Sequence, residues 1–170
     1  MNIIETKRTN LRELTPDDAA FILELLNDPA FIRFIGDRNV RSLEDARNYM
    51  KSPRESYARN GFGLWLVEDK AGTSLGICGL IKRDALPHVD IGYAFLPDFR
   101  SQGFAYEAAL ASLAFARDTL KLDRILAIVS PDNERSIHLL EKLGMKFERM
   151  FTLPNETEEL KLLAIDLASD

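Results

Sequence analysis

Residues 90–109 read DIGYAFLPDFRSQGFAYEAA and join a predicted strand, which ends near Leu96, to a predicted helix, which begins near Phe104. A helix N-terminus carries unpaired N–H donors and a partial positive charge. Gly103 removes the side chain that would keep an anion away from this backbone, and Arg100 adds a cation. The loop is therefore a candidate pyrophosphate site. The alternative is that Gly103 only permits a tight turn.

The segments on both sides of this loop alternate between strand and helix patterns. Upstream, the patterns predict a strand over about residues 6–14, a helix after Thr15, a short aromatic segment at 31–36, a helix from Ser42 to about Arg59, and strands within 61–69, 75–83 and 88–96. Downstream, they predict a buried helix over 104–120, a strand over 124–130, a helix over 133–144, and strands over 145–151 and 159–167. This order predicts an α/β sandwich with a mixed sheet.

Composition excludes several classes of protein. The 170 residues are expected to form one domain, 1–170. The chain has 22 basic and 27 acidic residues and a net charge of −5, which disfavours a general nucleic-acid binder. One cysteine and two histidines cannot form a standard structural zinc site, so no metal is expected. With no signal peptide and no apolar run of membrane-spanning length, we expect a cytosolic protein that does not bind membranes.

Five short motifs resemble, in their order and spacing, those of the GCN5-related N-acetyltransferases, the GNAT superfamily. The loop reads RSQGFA where the family has Arg/Gln-x-x-Gly-x-Gly/Ala. The flanking DIGY and YEA and the downstream NERS and EKLGM are similar to the RimJ/RimL branch, which includes ribosomal-protein N-terminal acetyltransferases. The resemblance covers nearly the whole chain. It implies an α/β sandwich whose central sheet is mixed, largely antiparallel and flanked by helices.

The resemblance also implies acetyl-coenzyme A as the co-substrate. In the family the pantetheine arm lies along the strand before the loop, which puts Phe95 and Leu96 nearest the thioester. Asn133 of the NERS motif is implied to bond the same arm, with Ser136 beside it. The loop residues implied to bind the pyrophosphate, largely through backbone donors, are Arg100, Ser101, Gln102, Gly103, Phe104 and Ala105.

Acetyl transfer to an amine requires a base for the amine proton. Strand alternation puts Asp90 on the same face as Gly92 and Ala94, whose small side chains leave room for a ligand. We expect Asp90 to be this base, acting through a water. The alternative is a solvated or ion-paired carboxylate at a strand end.

The departing thiolate benefits from a proton or a hydrogen bond. Helical spacing puts Ser136, Leu140 and Leu143 on one inward face. In many GNAT members a tyrosine at the position of Leu140 protonates the thiolate, so the usual acid is missing here. The resemblance implies that Ser136 takes this role, as an acid or only as a hydrogen bond to sulfur. The alternative is that Ser136, behind the capping residue Asn133, belongs only to the helix start.

The acceptor is expected to be a protein N-terminus, such as that of a ribosomal protein, or a small amine. In the family the first two helices cover the acceptor site. The residues that we expect to line it are Phe31, Phe34, Trp65 and His88. The alternative is that these are ordinary core aromatics and a surface histidine.

The sequence therefore predicts an acetyl-coenzyme A-dependent N-acetyltransferase that transfers the acetyl group directly to a primary amine in a ternary complex. The resemblance is also compatible with a homodimer. Two other functions stay open. Leu140 in the tyrosine position favours a non-catalytic acyl-coenzyme A sensor. A thiol hydrolase built on Cys78 with His88 or His138 would need an exposed, reactive thiol.

Overall fold

The structure is a computed structural model that describes residues 1–167; residues 168–170, the end of the expected domain, lie outside the described residues. Strands β1 to β8 span Asn2–Glu5, Thr9–Arg12, Leu64–Asp69, Ser74–Ile81, Asp90–Phe95, Arg124–Val129, Lys146–Phe151 and Leu160–Asp166. Helices α1 to α6 span Ala19–Leu26, Pro29–Phe34, Leu43–Tyr49, Lys51–Asn60, Phe104–Asp118 and Glu134–Lys142. Short 3₁₀ turns precede α1 and α5, at Pro16–Asp18 and Pro97–Phe99.

The strands form one sheet in the order β1-β2-β3-β4-β5-β6-β8-β7. All neighbouring strands are antiparallel except β5 and β6, which are parallel. One core cluster packs α1 to α3 against Leu66 and Ile77 on one face of the sheet. The other cluster packs α5 and α6 against Trp65 and Cys78 on the opposite face. The predicted α/β sandwich with a mixed, largely antiparallel sheet is confirmed.

Capping residues account for several helix boundaries. The Ser42 hydroxyl accepts the N–H of Asp45 at 3.0 Å and begins α3. Gly61 follows α4 with a φ of +80° and Gly144 follows α6 with a φ of +100°, the left-handed conformation that ends a helix. These three boundaries agree with the sequence prediction. Among residues 1–167, no helix combines the length and the apolar composition needed to cross a bilayer.

The N-terminal half differs from the prediction in three places. The expected strand over 6–14 is shortened to β2, and the unexpected strand β1 pairs with it in a hairpin that the N–H of Thr6 closes on the carbonyl of Thr9. The expected helix 42–59 is two helices, because Pro53 has no N–H to continue the helical ladder and Met50, 1% exposed, turns into the core. The aromatic segment is helix α2, which Asp28 caps by accepting the N–H of Phe31.

The parallel strands β5 and β6 form a gap in the sheet. Their ladder contains one pair, Asp90 with Leu126, and the N–H of Leu126 bonds the Val89 carbonyl at 2.9 Å. On the other side of β5, the N–H of Leu96 bonds the Leu75 carbonyl of β4. Because hydrogen-bond direction alternates along a strand, the backbone groups of Tyr93 and Phe95, which lie beyond this pair, face the gap. The fold therefore leaves one edge of β5 open for a ligand.

Candidate active site

A cleft of about 1060 Å³ opens at this gap, between the α1–α4 layer and α6. Ten of the predicted site residues line it. They are Phe31, Phe34, Asp90, Phe95, Arg100, Ser101, Gly103, Ala105, Asn133 and Ser136. The tertiary structure thus brings together residues that lie up to 105 positions apart in the chain.

The loop between β5 and α5 has the backbone shape of an anion site. Ser101 has a φ of +62° and Gly103 a φ of +85°, and left-handed residues of this kind occur in the concave backbone turns whose N–H groups bind anions. The N–H of Glu107 bonds the carbonyl of Gly103, so the N–H groups of residues 104–106 precede the helical ladder. These donors fit the pyrophosphate of acetyl-coenzyme A.

Three loop residues, Arg100, Gln102 and Phe104, do not offer their side chains to an anion in the cleft. Arg100 is turned to the protein: its guanidinium pairs with the buried carboxylate of Asp28 and donates to the Phe95 carbonyl at 2.9 Å. Its charge is therefore already neutralised. Gln102 donates to the Asp98 carbonyl at 2.6 Å, away from the cleft. The half-buried ring of Phe104 packs against the core cluster that contains α5 and lies outside the cleft lining, so Gln102 and Phe104 can contribute only backbone donors to the loop.

Arg8, a residue that the sequence analysis missed, holds the loop from its outer side. Its guanidinium lies 4.3 Å from the Phe104 ring centroid, donates to the Gln102 carbonyl at 3.0 Å and pairs with Glu107 at 2.8 Å. Burial works to raise the pKa of Glu107, but donors from Thr6 and Arg8 outweigh it and lower that pKa. No local motif marks Arg8, because its contacts lie about 100 positions downstream.

The open edge of β5 offers backbone groups to an extended ligand arm. The N–H of Phe95 faces the gap, whereas the N–H of Leu96 is used by the Leu75 carbonyl. Of the two residues expected beside the thioester, Phe95 is therefore available as a backbone donor and Leu96 is not. Leu96 instead packs against the core cluster under α1 to α3.

Asp90 lies at the closed end of the gap on the face that carries α1 to α4. Its side chain is 1% exposed and pairs with Arg83 at 3.0 Å. Burial raises the pKa of Asp90 to about 6, although the charge and hydrogen bond of Arg83 oppose this. A carboxylate with such a pKa is ionised at neutral pH and is still able to accept a proton, as a base must.

Ser136 lies in the first turn of α6, where Asn133 caps the helix by accepting the Ser136 N–H at 3.3 Å. The Ser136 hydroxyl lies 2.6 Å from the hydroxyl of Tyr93, which also donates to the Ser136 carbonyl at 3.3 Å. Leu140 is 2% exposed and packs in the core, so its position supplies no polar group. The contact of Tyr93 with Ser136 was not anticipated from the sequence, because the two residues lie 43 positions apart.

The predicted acceptor residues divide into two groups. Phe31 and Phe34 on α2 line the cleft on the Asp90 side. Trp65 is 1% exposed and packs edge-to-face on Phe115 at 5.3 Å, within the cluster on the opposite face of the sheet. Its side chain alternates away from the cleft, which corrects the expectation. His88 is an exposed residue in the loop before β5 and lies outside the cleft lining.

Cys78 is fully buried, with its sulfur 3.6 Å from the hydroxyl of Ser112. Burial raises the pKa of the Cys78 thiol to about 12, against a smaller lowering by Ser112. His88 and His138 are both exposed. The thiol is therefore protonated and shielded, which argues against a hydrolase built on Cys78.

Comparisons with known proteins agree with this geometry. The profile described as acetyltransferase (GNAT) domain matches residues 8–146. The uncharacterized N-acetyltransferase YoaA of Bacillus subtilis is 31% identical over 150 residues, which cover 86% of this chain and 84% of YoaA.

Two solved structures show the same fold. RimL, a ribosomal alpha-N-protein acetyltransferase in complex with coenzyme A, superposes with a TM-score of 0.84 at 15% identity and covers 98% of each chain. Spermidine N-acetyltransferase of Vibrio cholerae, in complex with CoA and spermine, gives 0.77 at 20% identity and covers 95% of this chain and 97% of its own. With its open β5 edge and its matched family profile, the chain belongs to the GNAT acetyltransferase family and is an acetyltransferase.

Proposed function

We propose that this protein is a RimJ/RimL-type N-acetyltransferase that moves the acetyl group of acetyl-coenzyme A to a primary amine. The observation that carries the proposal is the open edge of β5 running directly into the loop at Gly103. A backbone edge binds an extended amide-containing arm, and the loop donors bind its pyrophosphate. The two features lie in one continuous cleft with Asp90 and Ser136.

The thioester supplies the acetyl group. The N–H of Phe95 is placed to polarise its carbonyl, as a fixed donor in an oxyanion-type arrangement. Asp90 accepts the amine proton through a water, because its carboxylate is buried beside Arg83 and does not project into the cleft centre. Ser136 donates a hydrogen bond to the departing sulfur. Because Cys78 is buried and protonated, the proposal is direct transfer without a covalent enzyme intermediate.

The acceptor enters on the side of Phe31 and Phe34. RimL is named for a ribosomal protein substrate and the Vibrio cholerae enzyme for spermidine, so both a protein N-terminus and a small amine are supported by relatives. We also propose a cytosolic location, which the unpaired Cys78 supports, since secreted proteins of this size usually pair their cysteines. We also propose a homodimer, which the family resemblance alone supports.

A thermal-shift titration with acetyl-coenzyme A tests the cofactor site. At about 100 times the dissociation constant, a ligand that binds only the folded state stabilises it by about 2.7 kcal/mol, which raises Tm by roughly 5–10 °C. Inorganic phosphate and ATP serve as controls. A selective rise with acetyl-coenzyme A supports the proposal, and no rise at millimolar concentration contradicts it.

A second assay separates the enzyme from a non-catalytic sensor, which the buried Leu140 in the tyrosine position favours. Free thiol is measured as N-terminal peptides of ribosomal proteins, polyamines and amino acids are added in turn. Amine-dependent thiol release supports the transferase. Binding of acetyl-coenzyme A without release on any of these acceptors supports the sensor.

A further inference from the structure

The contact between Tyr93 and Ser136 joins two elements on either side of the gap. Tyr93 extends from β5, opposite Cys78 in the β4–β5 ladder, and Ser136 extends from the first turn of α6. Both residues line the cleft. Among the described residues, both hydrogen bonds of the Tyr93 hydroxyl go to Ser136, one to its hydroxyl oxygen and one to its carbonyl.

These two acceptors allow two hydrogen-bond patterns with the same heavy-atom positions. In the first, the Ser136 hydroxyl donates to Tyr93 and Tyr93 donates to the Ser136 carbonyl. In the second, Tyr93 donates to the Ser136 hydroxyl oxygen, so that the Ser136 hydrogen is free to turn into the cleft. Only rotation of two hydroxyl groups separates the patterns, because a hydroxyl both donates and accepts.

We propose that Tyr93 is a positioning residue that aims the Ser136 hydroxyl at the leaving sulfur; this rests on the proposed function. As the new N–C bond forms, the C–S bond breaks and its electron pair goes to sulfur. The growing negative charge favours the second pattern, in which Ser136 donates to sulfur and Tyr93 donates to Ser136. The amine proton goes to the base, and the sulfur later takes a proton from solvent.

Two further observations support this assignment. Burial raises the pKa of the Tyr93 phenol far above its ordinary value, so its O–H stays a donor at working pH. Without Tyr93, a serine in the first helical turn tends to donate to a backbone carbonyl of its own helix, which would take its hydrogen away from the cleft. Leu140 cannot replace the lost group, because its side chain is apolar and buried.

The test is a spectroscopic titration of the coenzyme A thiol in complex with the protein. Thiolate absorbance in the ultraviolet is followed with pH, and the spectrum of the matching desulfo-coenzyme A complex is subtracted to remove tyrosine signals. A hydrogen bond to a charged sulfur lowers its apparent pKa by about one unit. We expect this lowering in the parent protein and its loss in both Tyr93→Phe and Ser136→Ala, with the double variant no different from either single variant.

Steady-state kinetics give a second readout, with an acceptor that supports thiol release in the assay of the proposed function. Loss of the aimed donor should lower kcat about tenfold in Tyr93→Phe and leave KM for acetyl-coenzyme A unchanged, since the hydrogen bond strengthens only as charge develops on sulfur in the transition state. Tyr57→Phe is the matched control, because Tyr57 lies outside the cleft lining and its hydroxyl bonds the N–H of Leu14 and the carbonyl of Leu64. It should lower Tm but keep the parent's kcat and thiolate pKa.

The outcomes are distinguishable from failure of the proposed function. If coenzyme A does not bind the parent, the proposed function fails and this inference fails with it. If coenzyme A binds and Tyr93→Phe keeps the parent's thiolate pKa and kcat, only the role of Tyr93 is overturned. If Tyr93→Phe loses both while Ser136→Ala keeps them, Tyr93 contacts the sulfur itself and the positioning role is wrong.

Discussion

At the scale of single residues, Asp90 shows how one position balances two demands. Its carboxylate is buried at the end of the gap, where desolvation favours the protonated form, and Arg83 restores part of the stability of the charged form. Because the folded state holds this proton more tightly than the unfolded chain, the contribution of Asp90 to stability falls as pH rises from about 4 to 6. The lower stability above pH 6 accompanies a carboxylate pKa close to neutral pH, which the proposed role of Asp90 as a base requires.

The pH profile of kcat/KM should therefore rise through about pH 6, as Asp90 loses its proton. An acceptor amine of low pKa keeps the amine's own titration out of this range. Asp90→Asn should abolish this rise and lower kcat/KM about 100-fold. Asp84→Asn is the control, because Asp84 is an exposed carboxylate in the loop between β4 and β5. This variant should leave the pH profile unchanged. If kcat/KM of Asp90→Asn still rises through about pH 6, another residue is the base.

At the scale of elements, the loop before α5 is held in shape from outside the cleft. Glu107, in the first turn of α5, accepts from Thr6 and from the backbone and side chain of Arg8, so the β1–β2 hairpin is tied to the helix start. This tie presents the donors of residues 101–106 in a fixed arrangement. A preformed site of this kind avoids the entropy cost of ordering a loop when the ligand binds.

Gly103→Val should raise the dissociation constant of acetyl-coenzyme A at least about tenfold. A β-branched residue strains a φ of +85°, and its Cβ would lie 3.1 Å from the Arg8 guanidinium. Gly72→Val is the matched control, since it has a φ of +89° with no atom within 4 Å and lies in the β3–β4 turn. It should lower Tm but leave the dissociation constant unchanged. Equal binding by Gly103→Val and the parent would remove the loop from the site.

At the scale of the whole molecule, the pair between Asp28 and Arg100 joins two segments that lie 72 positions apart in the chain. Asp28 caps α2, which carries Phe31 and Phe34, and Arg100 belongs to the loop before α5. The ion pair thus joins helix α2 to the loop before α5. The Asp28 side chain is 7% exposed, so its charge depends on this partner and on the helix N-terminus.

Arg100→Met should lower the free energy of unfolding by about 2–3 kcal/mol, because it leaves a buried carboxylate without its partner. Adding Asp28→Asn should restore much of this loss, since the amide oxygen can still cap α2. Arg117→Met is the control, because Arg117 pairs with Asp118 at the exposed surface, where loss of an ion pair has little effect on stability. Denaturant unfolding measures all four proteins. Equal losses for Arg100→Met and Arg117→Met would contradict a structural coupling between α2 and the loop before α5.

Local patterns in the sequence were sufficient for most elements of the fold. The caps at Ser42 and Asn133, the helix ends at Gly61 and Gly144, and the face shared by Asp90 with its small neighbours depend on residues a few positions apart. The family motifs then indicated which loop binds the cofactor. The hairpin of β1 and β2 was missed because its short strands, of mixed polarity, show little periodicity.

Tertiary structure alone decided which partners the site residues meet. The pairs of Arg100 with Asp28, of Arg8 with Glu107 and of Tyr93 with Ser136 span 43 to 99 positions, and no local pattern encodes them. The sequence offered Trp65 and Phe31 equally as acceptor-site residues, but the alternation of β3 turns Trp65 into the core cluster on the opposite face of the sheet. Sequence determines local conformation through short-range sterics and hydrogen bonds, whereas the charge and orientation of a site depend on which distant side chains pack beside it.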